Sequence, residues 1–183
     1  MSPDEAVQVL ESAELLHDEQ AVRGALDQMA AAITEKLAQS NPVILCIMNG
    51  GLMPCSWLVE RLHFPFELDY LHATRYRGET SGGELVWQVQ PHISLTDRQV
   101  LLVDDILDEG LTLAGIIESC RNAGAREVMS AVLVIKQHNR RQPGIEADFR
   151  GLEVDDRYVF GCGMDYRNYW RNLKAIYALS DGA

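Results

Sequence analysis

Apolar and polar residues alternate with a helical period over the first forty positions of the chain. Ser2 followed by Glu5 forms a capping-box pattern, which predicts a helix over residues 3–10. A longer helix is predicted over residues 18–39, and Pro42 ends it because the residue before a proline disfavours helical backbone. The apolar face of this second helix repeats every three or four residues and consists of Val22, Leu26, Met29, Ile33 and Leu37.

Beyond residue 42 the pattern changes to short apolar runs separated by helical stretches. Buried strands are predicted over 43–48, 100–103 and 128–135, with helices up to about residue 62 and over 112–122. Segments 64–72 and 85–89 alternate as half-exposed strands do, and the polar segment 75–83 predicts a loop. The order predicts an α/β fold, with a parallel core sheet of about five strands and flanking helices, in one domain over residues 1–183.

Composition and charge exclude several classes of partner. The chain has 183 residues and a net charge of −11, with no basic stripe, so we expect no nucleic-acid partner. No apolar run approaches the roughly 18 residues that span a bilayer, and the N-terminus lacks the features of a secretory signal. We therefore expect a cytoplasmic protein without a membrane partner. The cysteines form no C-x-x-C pair and are expected to be reduced and buried: Cys46, Cys55, Cys120 and Cys162.

The segment 101–113 carries the clearest chemistry. A buried strand is followed by Asp104 and Asp105, a short loop over 108–112, and then a helix. The free N–H groups of a helix N-terminus bind phosphate, and the lack of the lysine of a P-loop excludes that motif. A ribose 5-phosphate fits, with the two aspartates at its hydroxyls and the phosphate on the helix end. The alternative is structural, with the acid pair capping a turn and Asp108 capping the helix.

This segment resembles the phosphoribosyl pyrophosphate signature of type I phosphoribosyltransferases, and specifically of the hypoxanthine–guanine phosphoribosyltransferase family. The resemblance runs from about residue 11 to residue 176. It implies a type I fold with a small hood built from about residues 1–20 and 145–183. It further implies a magnesium-dependent transfer of the phosphoribosyl group to N9 of a 6-oxopurine, giving IMP or GMP and pyrophosphate, by a homo-oligomer that is a dimer or a tetramer.

The resemblance assigns residues to the phosphoribosyl pyrophosphate site and to the metal. Asp108 would be the general base toward the purine, and Asp104, Asp105 and Asp165 would position Mg²⁺. The run 48–51 resembles the pyrophosphate loop, where a non-proline cis peptide is common, although two glycines also suit an ordinary turn. The residues implied to bind phosphoribosyl pyrophosphate or nucleotide are Asn49, Gly50, Asp104, Asp105, Asp108, Glu109, Gly110, Leu111, Thr112 and Arg171.

The base site and the lid come from three other segments. Lys136 ends a predicted strand and would donate to the 6-oxo group of the base, although a lone lysine there is commonly solvated. In segment 155–171 Tyr158 would stack on the purine, Val159 would read its edge through backbone groups, and Asp165 would complete the base site. Outside such a family context, Tyr158 and Met164 are more often core residues. Arg75 and Tyr76 occupy the position of the mobile lid.

Several positions depart from the family pattern. Glu109 stands where Thr or Ser is common, and a carboxylate facing the phosphate would repel it. Asp104 replaces a usual Glu, Asn49 a usual Lys or Arg, and Tyr158 a common Phe or Trp. The alternatives left open are a xanthine-preferring enzyme and a non-catalytic nucleotide sensor of the same fold. A receiver-like phospho-acceptor domain also pairs acids, but on its first strand rather than past mid-chain.

Overall fold

The computed structural model describes residues 1–75 and 85–180. The helices are α1 (Pro3–Ser12), α2 (Glu19–Leu37), α3 (Leu52–Val59) and α4 (Leu111–Asn122). The strands are β1 (Glu14–His17), β2 (Val43–Ile47), β3 (Glu67–Arg75), β4 (Leu85–Val89), β5 (Gln99–Leu107), β6 (Glu127–Gln137), β7 (Phe149–Asp155), β8 (Val159–Phe160) and β9 (Ile176–Ala178).

The predicted helix starts are confirmed. Ser2 and Glu5 form both bonds of the capping box at α1, and the Asp18 side chain accepts the N–H of Ala21 to cap α2. Helix α3 ends at Val59, which is earlier than the predicted residue 62, and the predicted strand 64–72 lies instead at Glu67–Arg75.

The larger sheet contains six strands in the order β4-β3-β2-β5-β6-β7. All neighbouring pairs from β3 to β7 are parallel, and β4 pairs with β3 in the antiparallel sense. The prediction of a parallel core of about five strands is therefore confirmed, with one antiparallel edge strand added. Parallel neighbours bring the carboxyl ends of β2, β5 and β6 to the same edge of the sheet, where α/β folds bind ligands.

The core lies on both faces of this sheet, as predicted. Alternate residues of β2 point to opposite sides: Ile44 packs with α2 and α3, whereas Leu45 packs with α4. Both side chains are fully buried. The strand reads as a continuous apolar run because neither face of the sheet is open to water.

A second, three-stranded sheet joins the two ends of the chain in the order β1-β9-β8, with antiparallel pairing. Strand β1 and these pairings have no counterpart in the predicted elements. The indole N–H of Trp170 donates to the carbonyl of Ala6 at 2.8 Å and adds a contact between the C-terminal segment and α1. Segment 149–155 lies within the range predicted for the hood, about 145–183, but it forms β7, an edge strand of the larger sheet.

The four cysteines are free and buried, which confirms the prediction for these residues. No helix within residues 1–75 and 85–180 has the length and apolar character needed to cross a membrane.

Candidate active site

A cavity of about 190 Å³ opens where the carboxyl ends of β5 and β6 meet the segment that carries β8. Six of the residues predicted for the site line it together: Asp105, Asp108, Lys136, Tyr158, Val159 and Asp165. Ile106 and Met164 complete the lining. The cavity therefore brings together the acidic end of β5, the lysine near the end of β6 and the C-terminal segment.

Asp104 and Asp105 lie within β5 rather than after it, which corrects the predicted end of this strand at Val103. Asp104 pairs with Val132 of β6, and the ladder continues to Leu107. Each carboxylate accepts one backbone N–H: Asp104 Oδ1 from Asp105 at 3.0 Å, and Asp105 Oδ1 from Ile106 at 2.7 Å. The interpretation that the pair only caps a turn is thus wrong.

The electrostatics of this acid pair favour a positive partner. Burial raises the pKa of Asp104 well above its ordinary value, and the neighbouring charge of Asp105 raises it further. Burial also raises the pKa of Asp105, a shift that the positive charge of Arg171 opposes. A cation or a set of hydroxyl donors at this position would stabilise the ionised carboxylates.

The loop between β2 and α3 packs directly against the acid pair. The Met48–Asn49 peptide bond is cis, as the resemblance implied. A Cβ atom at Gly50 would overlap the carboxylate of Asp105, and one at Gly51 would meet the carbonyl oxygen of Val103 at 2.5 Å. Only glycine fits at position 51, where the overlapping atom is backbone, and a side chain at position 50 would displace the Asp105 carboxylate, so the loop is more than an ordinary turn.

The loop over 108–112 leads into α4 as predicted, but the N-cap residue of α4 is not the one that the structural alternative predicts. Gly110 is the N-cap residue, with a φ of 78° in the left-handed region, and no side chain caps the helix. Asp108 therefore does not cap α4. Leu111 and Thr112 form the first turn, whose N–H groups have no partner within the helix and carry partial positive charge.

Glu109 belongs to this loop, and 52% of its side chain is exposed. Its carboxylate oxygen Oε1 is 3.9 Å from Nε of Arg140, which also forms two hydrogen bonds with Asp156. A positive charge therefore offsets the carboxylate that departs from the family pattern.

Asp108 is the centre of a charged cluster. Its Oδ2 accepts from Nζ of Lys136 at 2.8 Å, and its Oδ1 lies 2.6 Å from Nε2 of His138. Burial raises the pKa of Asp108, but the hydrogen bonds from Lys136 and His138 outweigh it and hold the pKa below the ordinary value. Lys136 is only 13% exposed, so the interpretation of a solvated lysine is wrong.

The C-terminal segment supplies the opposite wall of the cavity. Tyr158 is 50% exposed, which contradicts a core role, and its hydroxyl donates to the carbonyl of Asp165 at 3.1 Å. Val159 is buried on β8, whereas Met164 is a buried core residue at the cavity wall. Arg171 pairs with Oδ1 of Asp165 at 2.6 Å.

The acidic residues suit a magnesium ion that keeps part of its water shell. No three His, Cys, Asp or Glu side chains converge on one metal position in the described ranges, so Asp104, Asp105 and Asp165 form no closed cage. Mg²⁺ is commonly held by one or two carboxylates together with substrate phosphates and water. The acid pair fits that mode, whereas both oxygens of Asp165 already accept bonds, from Arg171 and from the N–H of Asn168.

Two members of the cluster around Asp108 were not predicted from the sequence, namely His138 and Arg140. His138 lies one residue past the end of β6 and follows Lys136 by two residues, and this spacing, which puts two strand side chains on the same face, is the signal available in the sequence. Of the predicted lid, Arg75 is the last residue of β3, whereas Tyr76 and segment 76–84 lie outside the described residues.

Comparison with known proteins gives one consistent result. The profile of the family described as "Phosphoribosyl transferase domain" matches residues 12–167. A hypoxanthine-guanine phosphoribosyltransferase of Staphylococcus epidermidis is 32% identical over 88% of this chain and 90% of its own length. A hypoxanthine-guanine-xanthine phosphoribosyltransferase of Tritrichomonas foetus is 28% identical over 91% of each chain. The crystal structure of a hypoxanthine phosphoribosyltransferase from Staphylococcus aureus superposes with a TM-score of 0.86, at 30% identity and 91% coverage of each chain.

Proposed function

Because this chain belongs to the phosphoribosyltransferase family, and within it to the hypoxanthine–guanine phosphoribosyltransferases, we propose that it transfers the phosphoribosyl group of phosphoribosyl pyrophosphate to N9 of a 6-oxopurine. The products are IMP or GMP and pyrophosphate, and the reaction serves purine salvage. The observation that carries this proposal is the pairing of Asp108 with Lys136 in the cavity that Tyr158 also lines.

The proposed site for phosphoribosyl pyrophosphate consists of Asp104 and Asp105 on β5 and of the loop over 108–112, the phosphate loop. Asp104 and Asp105 accept the ribose hydroxyls, and the N–H groups of Gly110, Leu111 and Thr112 bind the 5-phosphate at the start of α4. The Asn49–Gly50 loop and Arg171 bind the pyrophosphate, since Gly50 lies against Asp105 and the positive charge of Arg171 acts on the same carboxylate. Glu109 contributes its backbone N–H, while its side chain faces Arg140.

The base occupies the remaining part of the cavity. Lys136 turns from Asp108 to donate to the 6-oxo group, Tyr158 stacks on the ring, and backbone groups of Val159 read its edge. Asp108 then accepts the proton of N7 while N9 attacks C1 of the ribose. Lys136 and His138 hold its pKa below the ordinary value, so the carboxylate is ionised at neutral pH, and it becomes a stronger proton acceptor when Lys136 turns to the base.

Magnesium, when bound, supplies positive charge that stabilises the pyrophosphate as it leaves. Asp104 and Asp105 would hold it, with Asp165 acting through water. The buried acid pair supports this assignment. Its pKa values are raised because burial disfavours the ionised carboxylates, and a bound cation would stabilise them.

The setting of the reaction belongs to the same proposal. We place the protein in the cytoplasm, because its four thiols are free. The small sheet of β1, β8 and β9 serves as the hood, and Arg75 and Tyr76 belong to the lid. Exposed apolar side chains on β3 and β4, among them Leu68, Tyr70 and Val86, support a homo-oligomer.

Replacing Asp108 with Asn tests the proposal. With hypoxanthine or guanine, phosphoribosyl pyrophosphate and Mg²⁺, the wild type should form nucleotide and pyrophosphate, and Asp108→Asn should lower kcat by roughly 10²–10⁴-fold. Nucleotide binding should change much less, because the lost step is proton transfer. The matched control is Asp155→Asn at the exposed end of β7. Near-normal kcat in Asp108→Asn would remove Asp108 from the mechanism.

A further inference from the structure

The segment after β6, residues 138–145, lies over the phosphate loop and contacts three of its consecutive residues. The N–H of Gln142 donates to the carbonyl of Glu109 at 2.8 Å, and a Cβ atom at Gly110 would meet Cγ2 of Ile145 at 2.9 Å. The third contact is the bond between His138 and Asp108. The segment therefore forms a support for the loop that carries the proposed general base.

The hydrogen bonds of His138 determine which of its ring nitrogens carries the proton. The backbone N–H of Arg140 donates to Nδ1 at 3.0 Å, so Nδ1 must be unprotonated. The proton then lies on Nε2, which donates to Oδ1 of Asp108 at 2.6 Å. A doubly protonated ring would direct its Nδ1–H at the N–H of Arg140. With 3% of its side chain exposed, His138 is a buried donor in a fixed orientation.

The two oxygens of Asp108 thus have partners of different kinds. Lys136 holds Oδ2, and its proposed role requires it to turn toward the 6-oxo group when a base arrives. His138 has no such second role. Arg140 lies 3.9 Å from Oδ1 but forms closer bonds with Asp156, and Glu109 adds a negative charge nearby. His138 is therefore the partner that can keep the carboxylate in place after Lys136 has moved.

We propose that His138 is a positioning residue that holds Asp108 through Oδ1 and leaves Oδ2 to accept the N7 proton of the purine. This inference rests on the proposed roles of Asp108 and Lys136. It predicts two effects when the Nε2 donor is lost. The carboxylate can rotate away from the base, which lowers kcat, and its pKa rises because a donor to the ionised form is gone.

Two amide substitutions separate the donor from the rest of the side chain. His138→Gln places an N–H near the position of Nε2 and can still reach Asp108. His138→Asn can still accept from Arg140, as Nδ1 does, but is too short to reach Asp108. We expect His138→Asn to lower kcat roughly 10-fold to 100-fold with little change in KM for phosphoribosyl pyrophosphate, as for loss of one hydrogen bond to a charged group. His138→Gln should stay within about 3-fold of the wild type.

The pH dependence supplies a readout that a merely structural role would not move. The acidic limb of kcat/KM should shift to higher pH in His138→Asn, and carboxyl-carbon NMR of the ligand-free protein should show a higher pKa for Asp108. Neither should change in His138→Gln, nor in the control His63→Asn, which alters an exposed histidine between α3 and β3.

The outcomes distinguish this inference from the proposed function. A wild type that forms no nucleotide with any base would refute the proposed function and the role of His138 with it. An active wild type whose His138→Asn variant keeps its kcat and its pKa for Asp108 would overturn the inference alone. Equal losses in the Asn and Gln variants would also overturn it, because the donor would then not be the feature that matters.

Discussion

At the scale of single residues, the three aspartates of the site differ in the groups that surround them. Asp108 has a lowered pKa because Lys136 and His138 donate to it, whereas burial raises the pKa values of Asp104 and Asp105. Asp108 is therefore ionised and becomes a better proton acceptor once Lys136 leaves it, whereas positive charge or hydroxyl donors would stabilise the ionised forms of the other two.

Replacing Glu109 tests whether a carboxylate in the loop over 108–112 affects the binding of phosphoribosyl pyrophosphate. Because its side chain is largely exposed and faces Arg140, Glu109→Thr should keep or tighten the binding of phosphoribosyl pyrophosphate, by up to about 10-fold if the new hydroxyl donates to the phosphate. Binding should be measured by calorimetry across a series of magnesium concentrations. Glu118→Thr, at an exposed position on α4, is the control for loss of charge. A large loss of affinity in Glu109→Thr would show that the carboxylate itself belongs to the site.

Asp104 should make the stability of the metal-free protein depend on pH. Its pKa is higher in the folded than in the unfolded state, so the folded state binds more protons and stability falls as pH rises above the ordinary aspartate value. Asp104→Asn removes this titration. The free energy of unfolding in urea with a chelator should therefore decline less steeply with pH in the variant, with Asp155→Asn as control. Parallel profiles would contradict the raised pKa.

At the scale of elements, the turn between β2 and α3 depends on glycine because its backbone touches the acid pair. Gly50→Ala should displace the Asp105 side chain and weaken binding of phosphoribosyl pyrophosphate by at least about 10-fold, since the new Cβ atom would occupy the position of its carboxylate. Gly24→Ala is the matched control, because no atom lies within 4 Å of a Cβ at Gly24 in α2. That control should stabilise the protein by about 0.5–1 kcal/mol. Equal binding by Gly50→Ala and the wild type would contradict the close contact.

The elements also show which parts of the fold could be predicted from the sequence. Strands β2 and β6 are recognisable because both faces are buried, so β2 reads as an unbroken apolar run and the apolar run of β6 is interrupted only by Ser130. Strand β5 was predicted too short, because Asp104 and Asp105 interrupt its apolar pattern while its backbone pairing with β6 continues. Strands β1, β8 and β9 contain four, two and three residues, and their pairing joins the two chain ends, so no local pattern indicates them.

At the scale of the whole molecule, the site draws on segments far apart in the sequence. The family resemblance predicted six of the eight residues that line the cavity, including Asp108 and Lys136, since motif and strand-end position both pointed to them. It did not predict His138, whose contact with Asp108 joins residues 30 positions apart. A chain with a net charge of −11 is expected to bind its anionic substrate only where Arg171 and the start of α4 oppose the overall field.

The choice of base tests the central assignment most directly. Nucleotide formation should be followed with hypoxanthine, guanine, xanthine and adenine, each with phosphoribosyl pyrophosphate and Mg²⁺. Because the ammonium group of Lys136 can only donate, hypoxanthine or guanine should react, and kcat/KM for adenine should be lower on the order of 10⁴-fold. The rate with xanthine establishes how far the preference extends among 6-oxopurines. Conversion of adenine at a rate comparable to that of hypoxanthine would contradict the role of Lys136 and the proposed 6-oxopurine specificity.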